Sequence, residues 1–188
     1  TNSMNQTSKR YGDLCRRRQN FLQRAWDASE LTIPFILPRH GTQDQELPTP
    51  YQSIGARGVN NLSAKLLLTL FPPNSPFFKF QIDDFTLAEL EAQRAPVEEG
   101  LNAMERSVMD EVEAKAMRVP LNEALRHLII TGNACLHVDK DNAVRVFHLD
   151  QYVVRRDPQG KMLEIIVHEK MSRELYMDIF GTLPPKES

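Results

Sequence analysis

Residues 51–80, YQSIGARGVNNLSAKLLLTLFPPNSPFFKF, constrain the fold more than any other stretch of this chain of 188 residues. They predict one amphipathic helix that stops at Pro72 and Pro73 and is followed by an aromatic segment. Ser53 is a candidate N-cap. Small and aliphatic residues then recur at three- and four-residue steps, which predicts a single inward-facing stripe. The stripe comprises Gly55, Gly58, Val59, Leu62, Leu66, Thr69 and Leu70.

The two glycines of this stripe have an energetic cost. Each lowers helix propensity by about 1 kcal/mol relative to alanine. Gly55 and Gly58 therefore indicate that another backbone lies close to the helix, as expected of a scaffold element.

Composition sets the class of protein. Hydrophobic residues make up 41% and charged residues 26%, values typical of a soluble globular chain, and no apolar run is long enough to predict a membrane span. The first residues lack the apolar core of a secretory signal, which favours a cytoplasmic setting. Cys15 and Cys135 have no CxxC spacing, so reduced thiols are expected. One compact unit is the default for this length, with two small subdomains as the alternative.

Charge is distributed unevenly along the chain. The net charge is −2, but residues 1–40 have seven Lys/Arg against three Asp/Glu, whereas residues 83–116 have three against ten. One hypothesis is that a basic surface meets an acidic surface on a neighbouring subunit. The alternative is that both are solvated helix faces.

Helical periodicity dominates the first two thirds of the chain. A helix is expected from Ser8 to Ala28, and the prolines between Leu31 and Pro50 predict a turn and a loop. After the scaffold helix, a short strand is expected over residues 77–82. Two or three further helices are predicted from Thr86 to Met117, with a break at Pro96, and from Pro120 to the Gly132-Asn133 stop. The inward residues of the last are Leu121, Ala124, Leu125, Leu128 and Ile129.

After residue 133 the apolar period changes from helical to alternating. Four strand-length segments are separated by two turn motifs, and Ser172 is expected to cap a final short helix to Phe180. The strands are Ala134–Val138, Val144–Leu149, Tyr152–Arg156 and Met162–Glu169. The fold class is therefore α+β, with several amphipathic helices packed on a small antiparallel sheet. A mainly helical part (1–133) would precede a part with β-hairpins and a short helix (134–188).

The sequence contains no recognisable catalytic or metal-binding motif. Its five histidines include no HxH or HExxH spacing, and no Walker loop or nucleophile elbow is present. A metal site would require convergence in space, and His137 and His148, on candidate neighbouring strands, could approach each other. The prediction is no enzymatic activity and no cofactor. A small enzyme with a spatially assembled site is the less favoured alternative.

The scaffold helix also has a recognisable motif, YQ-x-x-GARG-x-NNL-x-x-K-L-x-x-x-LFP. It resembles the N-terminal region of the head-to-tail connector, or portal, proteins of short-tailed podovirus-type phages. The matching positions are Tyr51, Gln52, Gly55, Ala56, Arg57, Gly58, Asn60, Asn61, Leu62, Lys65, Leu66, Leu70, Phe71 and Pro72.

The second half of the chain is similar to the same family. A helix ends at a Gly-Asn step and is followed by a strand, an L-x-x-YVV-x-RD segment and a glycine turn. These positions are Gly132, Asn133, Leu149, Tyr152, Val153, Val154, Arg156, Asp157 and Gly160. The resemblance extends over most of residues 10–170, in the same order.

The resemblance implies a structural role in the virion, at the capsid vertex, after assembly in the host cytoplasm. Portal subunits form a ring, typically dodecameric, through which the packaging ATPase pumps double-stranded DNA. DNA is later ejected through the ring, and capsid, internal core and tail proteins contact it. This chain would be the outer wing portion. The alternative is a small nucleic-acid-binding adaptor that uses Arg16, Arg17 and Arg18 of the basic first helix.

Family members run to several hundred residues, and the stem, clip and crown segments have no counterpart in these 188 residues. The expectation is therefore either an expressed fragment of a longer chain or a truncated prophage product. Assembly of these residues alone is expected to be weak.

Overall fold

The computed structural model describes residues 2–39, 47–73, 75–82, 94–140 and 142–181. The helices in these ranges are α1 (Asn2–Leu31), α2 (Ile54–Leu70), α3 (Arg94–Ala114), α4 (Arg118–Thr131) and α5 (Arg173–Phe180). The strands are β1 (Cys135–Val138), β2 (Val144–Phe147), β3 (Tyr152–Arg156) and β4 (Met162–Val167). This confirms the α+β class. None of these helices is both long enough and apolar enough to cross a membrane.

Both predicted hairpins are present. Antiparallel β1 and β2 pair Cys135 with Phe147, and antiparallel β3 and β4 pair Tyr152 with Val167. Left-handed residues close the turns, with φ of 59° at Asn142 and 87° at Gly160. In the described chain each strand pairs with one partner, so the hairpins form two separate two-stranded sheets where one sheet was predicted.

The predicted strand over residues 77–82 is wrong. These residues have no regular secondary structure and pair with no strand in the described chain. Their aromatic rings pack edge to face along the chain instead, with centroid separations of 5.1 Å for Phe71–Phe77 and 5.2 Å for Phe77–Phe78. These aromatic side chains therefore pack against neighbours that are close in sequence. The predicted helix start at Thr86 and the loop residues 40–46 lie outside the described ranges.

Contacts group the chain into two compact units. The terminal unit combines residues of Thr1–Arg18 and Asp150–Ser188, and the central unit is Gln19–Leu149. This grouping cuts across the predicted helical (1–133) and hairpin (134–188) parts, whose boundary stays a prediction.

Two buried clusters form the core of the central unit. The first contains Leu22, Ala25, Trp26 and Leu37, and the second contains Ile33, Ile36, Val59 and Ile130. The second joins the turn after α1 to α2 and α4. Burial of such aliphatic side chains contributes about 1.5–3 kcal/mol each, so this cluster helps to hold these elements together.

A buried serine organises the turn after α1. The Ser29 hydroxyl donates to the carbonyl oxygen of Ile33 at 3.0 Å and accepts from the Leu37 backbone N–H at 3.2 Å. Both partners lie beyond the end of α1 and take no part in its backbone hydrogen bonds. Ser29 therefore fixes the reversal that brings Ile33, Ile36 and Leu37 into the core.

The inward face of α2 differs from the predicted stripe. Val59 and Ser63 are buried and Ala56 packs on the core, whereas Leu62 is 47% exposed and Leu70 is 50% exposed. The buried face is rotated toward the smaller residues, because α2 packs closely on α4. The Ser63 hydroxyl donates to the Asn60 carbonyl oxygen at 3.1 Å, so its burial leaves the hydroxyl with a partner.

Gly55 and Gly58 have different surroundings. A Cβ at Gly55 would lie 2.8 Å from the carbonyl oxygen of Leu31, whereas a Cβ at Gly58 would meet nothing within 4 Å. Close backbone approach is therefore confirmed at Gly55 and wrong at Gly58. Ser53 makes no side-chain capping bond, so the predicted cap is also wrong there. Ser172 does cap α5, accepting from the Leu175 N–H at 3.2 Å.

The predicted inward face of α4 needs a smaller correction. Ala124 and Leu125 are buried as expected, but Leu128 is half-exposed, and His127 and Ile130 are buried in addition. Gly132 ends α4 in the left-handed conformation, with φ of 73°, as the Gly-Asn step predicted.

In the terminal unit, the first part of α1 packs on the β3–β4 hairpin through polar contacts. Glu164 of β4 pairs with Arg10 and with Arg155, each at 3.2 Å. The Tyr11 hydroxyl donates to the Asp150 carbonyl oxygen at 3.1 Å. Burial, with a contribution from neighbouring Cys15, raises the pKa of Tyr11 to about 12, so the phenol keeps its proton.

Candidate functional site

The motif positions of α2 fall mainly on its exposed side. Tyr51, Gln52, Arg57, Gly58, Asn60, Asn61 and Lys65 are all exposed, and we call this set the motif face. Ile54 and Leu68 add two exposed apolar side chains, 67% and 59% accessible. Ile54, Gly58, Asn61, Lys65 and Leu68 recur at alternating four- and three-residue steps. They therefore form one stripe on the side opposite Val59 and Ser63.

The end of α2 is held by an arginine that the sequence analysis did not single out. The Arg118 guanidinium donates to the carbonyl oxygens of Phe71 and Pro72, the latter at 2.9 Å, and pairs with Glu113 at 2.7 Å. These carbonyls follow the last turn of the helix and cannot be satisfied within it. The motif residue Pro72 thus has a structural role, as the acceptor that ties α2 to the start of α4. Neither spacing nor periodicity indicates this contact.

Motif positions in the second half of the chain form hydrogen bonds within turns. The Asn133 carbonyl oxygen accepts from the Thr131 hydroxyl at 2.8 Å. The Asp157 carboxylate accepts from the Lys161 N–H at 2.7 Å, and Arg156 donates to the Gly160 carbonyl oxygen at 3.0 Å. Local turn geometry therefore accounts for the Gly-Asn step and for the end of the YVV-x-RD segment.

The three consecutive arginines of α1, Arg16, Arg17 and Arg18, have different surroundings. Arg16 pairs with Asp13, and Arg17 is exposed. The half-buried Arg18 guanidinium donates to the carbonyl oxygens of Tyr152 and of Asp150, the latter at 3.0 Å. Arg18 therefore stabilises the entry to β3. A nucleic-acid role for the triplet stays a prediction.

A cluster of potential metal ligands lies in the central unit. Glu123 and His127 are one turn apart on α4, and His148 directly follows β2. One ligand atom from each of the three lies within 4.8 Å of the others. The His127 and His148 rings pack edge to face, with centroids 4.9 Å apart. The sequence suggested that His137 and His148 could approach each other; the ring contact of His148 in the structure is with His127.

His127 is the unusual member of this cluster. Its side chain is 1% exposed, and neither ring nitrogen has a hydrogen-bond partner among the described residues. Burial, assisted by the charge of His148, lowers its pKa from 6.5 to about 4. Because the ring is neutral at pH 7, the 3.9 Å separation between His127 Nε2 and Glu123 Oε1 is not an ion pair under those conditions. Glu123 and His127 are four residues apart and share one face of α4, but their meeting with His148 depends on the fold.

Comparison with known proteins places these features in a family. A model of the bacteriophage head to tail connecting proteins matches residues 4–186. The chain belongs to the family of bacteriophage head to tail connecting proteins. The matched range includes every motif position named above, from Tyr51 to Gly160.

Portal proteins are among the relatives of this connector chain. It is 35% identical over 182 residues to the portal protein of Enterobacteria phage T3, covering 93% of this chain and 32% of the relative. It is 32% identical over 176 residues to the portal protein of Escherichia phage T7, covering 89% and 31%. The portal protein of Pseudomonas phage phiKMV is 32% identical over 154 residues, covering 79% and 30%. The connector chain spans about a third of the length of the curated relatives it matches, and it corresponds to their N-terminal part.

Proposed function

We propose that this chain is the N-terminal wing portion of a portal subunit. Such subunits assemble into a ring, typically dodecameric, at one vertex of the capsid. Double-stranded DNA passes through the ring during packaging and ejection, and the tail attaches to it. The observation that supports this proposal is the family match over residues 4–186, together with relatives that are named portal proteins.

The proposed role is structural, without catalysis and without a cofactor. Its partners are other portal subunits, capsid, internal core and tail proteins, the packaging ATPase and the DNA within the assembled channel. The location is the virion at the capsid vertex, with the host cytoplasm as the site of assembly. The family description, a protein that connects head to tail, supports the structural role.

The motif face is the proposed subunit contact. Arg57, Asn61 and Lys65 are exposed, so their own fold does not need these particular side chains. Exposed residues that match the portal motif are better explained by contact with another molecule. Ile54 and Leu68 add apolar area that such a contact would bury.

Charge suggests which surface the motif face meets. Within α2 the ionisable residues are Arg57 and Lys65, both basic, whereas α3 has six acidic residues against two basic ones. Glu98, Glu99 and Glu111 of α3 are exposed. A contact between the motif face of one copy and α3 of the next joins two different surfaces. Contacts of that kind generate rings when the rotation between copies closes.

Zero-length cross-linking tests this interface. Isotopically light and heavy copies of the chain would be mixed and treated with a carbodiimide, which joins an amine to a carboxylate in direct contact. The expected product is a mixed-isotope peptide pair that joins Lys65 to Glu98, Glu99 or Glu111. Lys140, an exposed lysine in the β1–β2 turn, is the matched control and should give no such pair. Mixed-isotope pairs that lack Lys65 would contradict the proposed interface.

The alternative of a nucleic-acid-binding adaptor has less support. Its basic triplet is divided between three different environments, and Arg18 is bonded to two backbone carbonyls. Dispersed arginines do not provide the continuous basic surface that tracks a phosphate backbone.

A further inference from the structure

We propose that Glu123, His127 and His148 form a binding site for one zinc ion that links α4 to the end of β2. This site is independent of the proposed subunit contact. The bound ion would hold α4 and the end of β2 together within the central unit. The proposed wing role does not depend on this site.

The donor set is appropriate for zinc. Two imidazole nitrogens and one carboxylate oxygen are among its common protein ligand combinations, with a water molecule in the fourth position of a tetrahedron. Zinc bonds of about 2.0–2.1 Å would bring the ligand atoms to about 3.3 Å from one another. The three ligand atoms already lie within 4.8 Å of one another, so small side-chain rotations complete the site.

Glu123 is the ligand whose side chain can rotate to complete the site. The Glu123 side chain is 49% exposed and can change rotamer without disturbing the core, whereas His127 is held in place by burial. The Glu123 carboxylate therefore moves toward His127, whose ring is already held in position. A water molecule would take the fourth coordination position, which it would reach from the solvent-exposed side of Glu123.

The unsatisfied imidazole of His127 is the second observation that supports a ligand. A buried polar group without a hydrogen-bond partner destabilises the folded state, and both nitrogens of this ring lack one among the described residues. A zinc ion would bond one of those nitrogens directly.

The position of the site gives it a structural consequence. Glu123 and His127 belong to α4, and His148 follows Phe147, a buried residue at the end of β2. A single ion would cross-link a helix to a hairpin. Because the unfolded chain does not hold these ligands together, binding would stabilise the folded state.

Titration of the metal-free chain with Zn²⁺ tests the proposal. The untagged protein would be treated with a chelator, and calorimetry at pH 7 should then give one site per chain. Saturating Zn²⁺ should raise the thermal midpoint by roughly 5 °C or more. Cobalt(II) would serve as a spectroscopic substitute, since its visible bands report coordination by nitrogen and oxygen ligands.

Matched variants separate this site from adventitious binding. Glu123→Gln and His148→Gln should each weaken Zn²⁺ binding at least tenfold. Glu174→Gln, on exposed α5, and His137→Gln, on exposed β1, should leave it unchanged. Circular dichroism of the chelator-treated variants confirms that they fold. The proposal is overturned if wild type binds no Zn²⁺, if Glu123→Gln and His148→Gln bind as tightly as wild type, or if the control variants weaken binding equally.

Discussion

Gly55 of α2 lies directly against the backbone of Leu31, the last residue of α1. A Cβ added at Gly55 would come within 2.8 Å of the Leu31 carbonyl oxygen and 3.1 Å of the Thr32 methyl group. This contact joins the start of α2 to the turn that follows α1. It explains why a residue of low helix propensity occupies the first turn of α2.

The two motif glycines should respond oppositely to alanine. Gly55→Ala forces a backbone shift and is expected to lower the free energy of unfolding by roughly 1–3 kcal/mol. Gly58→Ala meets open space in the same helix and should raise it by about 0.5–1 kcal/mol. Urea denaturation of the two variants and wild type measures both changes. Equal effects of the two substitutions would mean that the contact with Leu31 is not a constraint.

The Arg118 contact predicts a difference between two conservative substitutions. Arg118→Lys keeps the charge but cannot reach Phe71, Pro72 and Glu113 together, so a loss of about 1–3 kcal/mol is expected. Arg106→Lys is the control, because Arg106 is exposed on α3 and donates to the Asn102 carbonyl oxygen of its own helix. Its cost should stay below about 0.5 kcal/mol. Chemical denaturation distinguishes the two, and a similar small loss in both variants would rule out a bridging role for Arg118.

Stability should decrease on acidification because of His127. Its pKa is 6.5 in its ordinary state and about 4 in the folded chain, so between these values the unfolded state binds a proton that the folded state does not. The free energy of unfolding therefore falls as the pH drops from 6.5 to 4, by at most about 1.4 kcal/mol per pH unit. Well above pH 6.5 the ring is unprotonated in both states, so His127 contributes no pH dependence there.

Two measurements check this pH effect. An NMR titration of the His127 ring in the folded, metal-free chain should give a midpoint near pH 4, and denaturation of that chain at pH 7, 6 and 5 should show the slope. The groups that face this ring are Glu123 on its own helix and His148 after β2. An NMR midpoint near 6.5 would contradict the buried, neutral state of the ring.

Local patterns predicted most of the secondary structure. The turns at Asn142 and Gly160, the stop at Gly132 and the cap at Ser172 all depend on residues adjacent in sequence, and each is present. The α+β class follows from them. Such features are predictable because their free energy is determined within a few residues.

Features that depend on packing between elements could not be predicted in this way. Helical periodicity could not decide whether Leu62 or Ser63 faces the core, since that choice depends on how closely α4 approaches α2. The aromatic run at 77–82 has strand composition, but a strand also requires a partner. The contacts of Arg118 with Phe71 and of His127 with His148 join residues far apart in sequence, so no spacing rule could indicate them.

The measurement that tests the central proposal most directly is the solution mass of the chain by light scattering, across concentration and at two salt levels. If the motif face contacts acidic α3 of another copy, the mass should rise with concentration at low salt and return to that of a monomer at high salt. Lys65→Glu should abolish the association, while Lys140→Glu, the same charge change in an exposed turn, should leave it intact. A strictly monomeric chain at every concentration, or equal behaviour of the two variants, would contradict a subunit contact through the motif face.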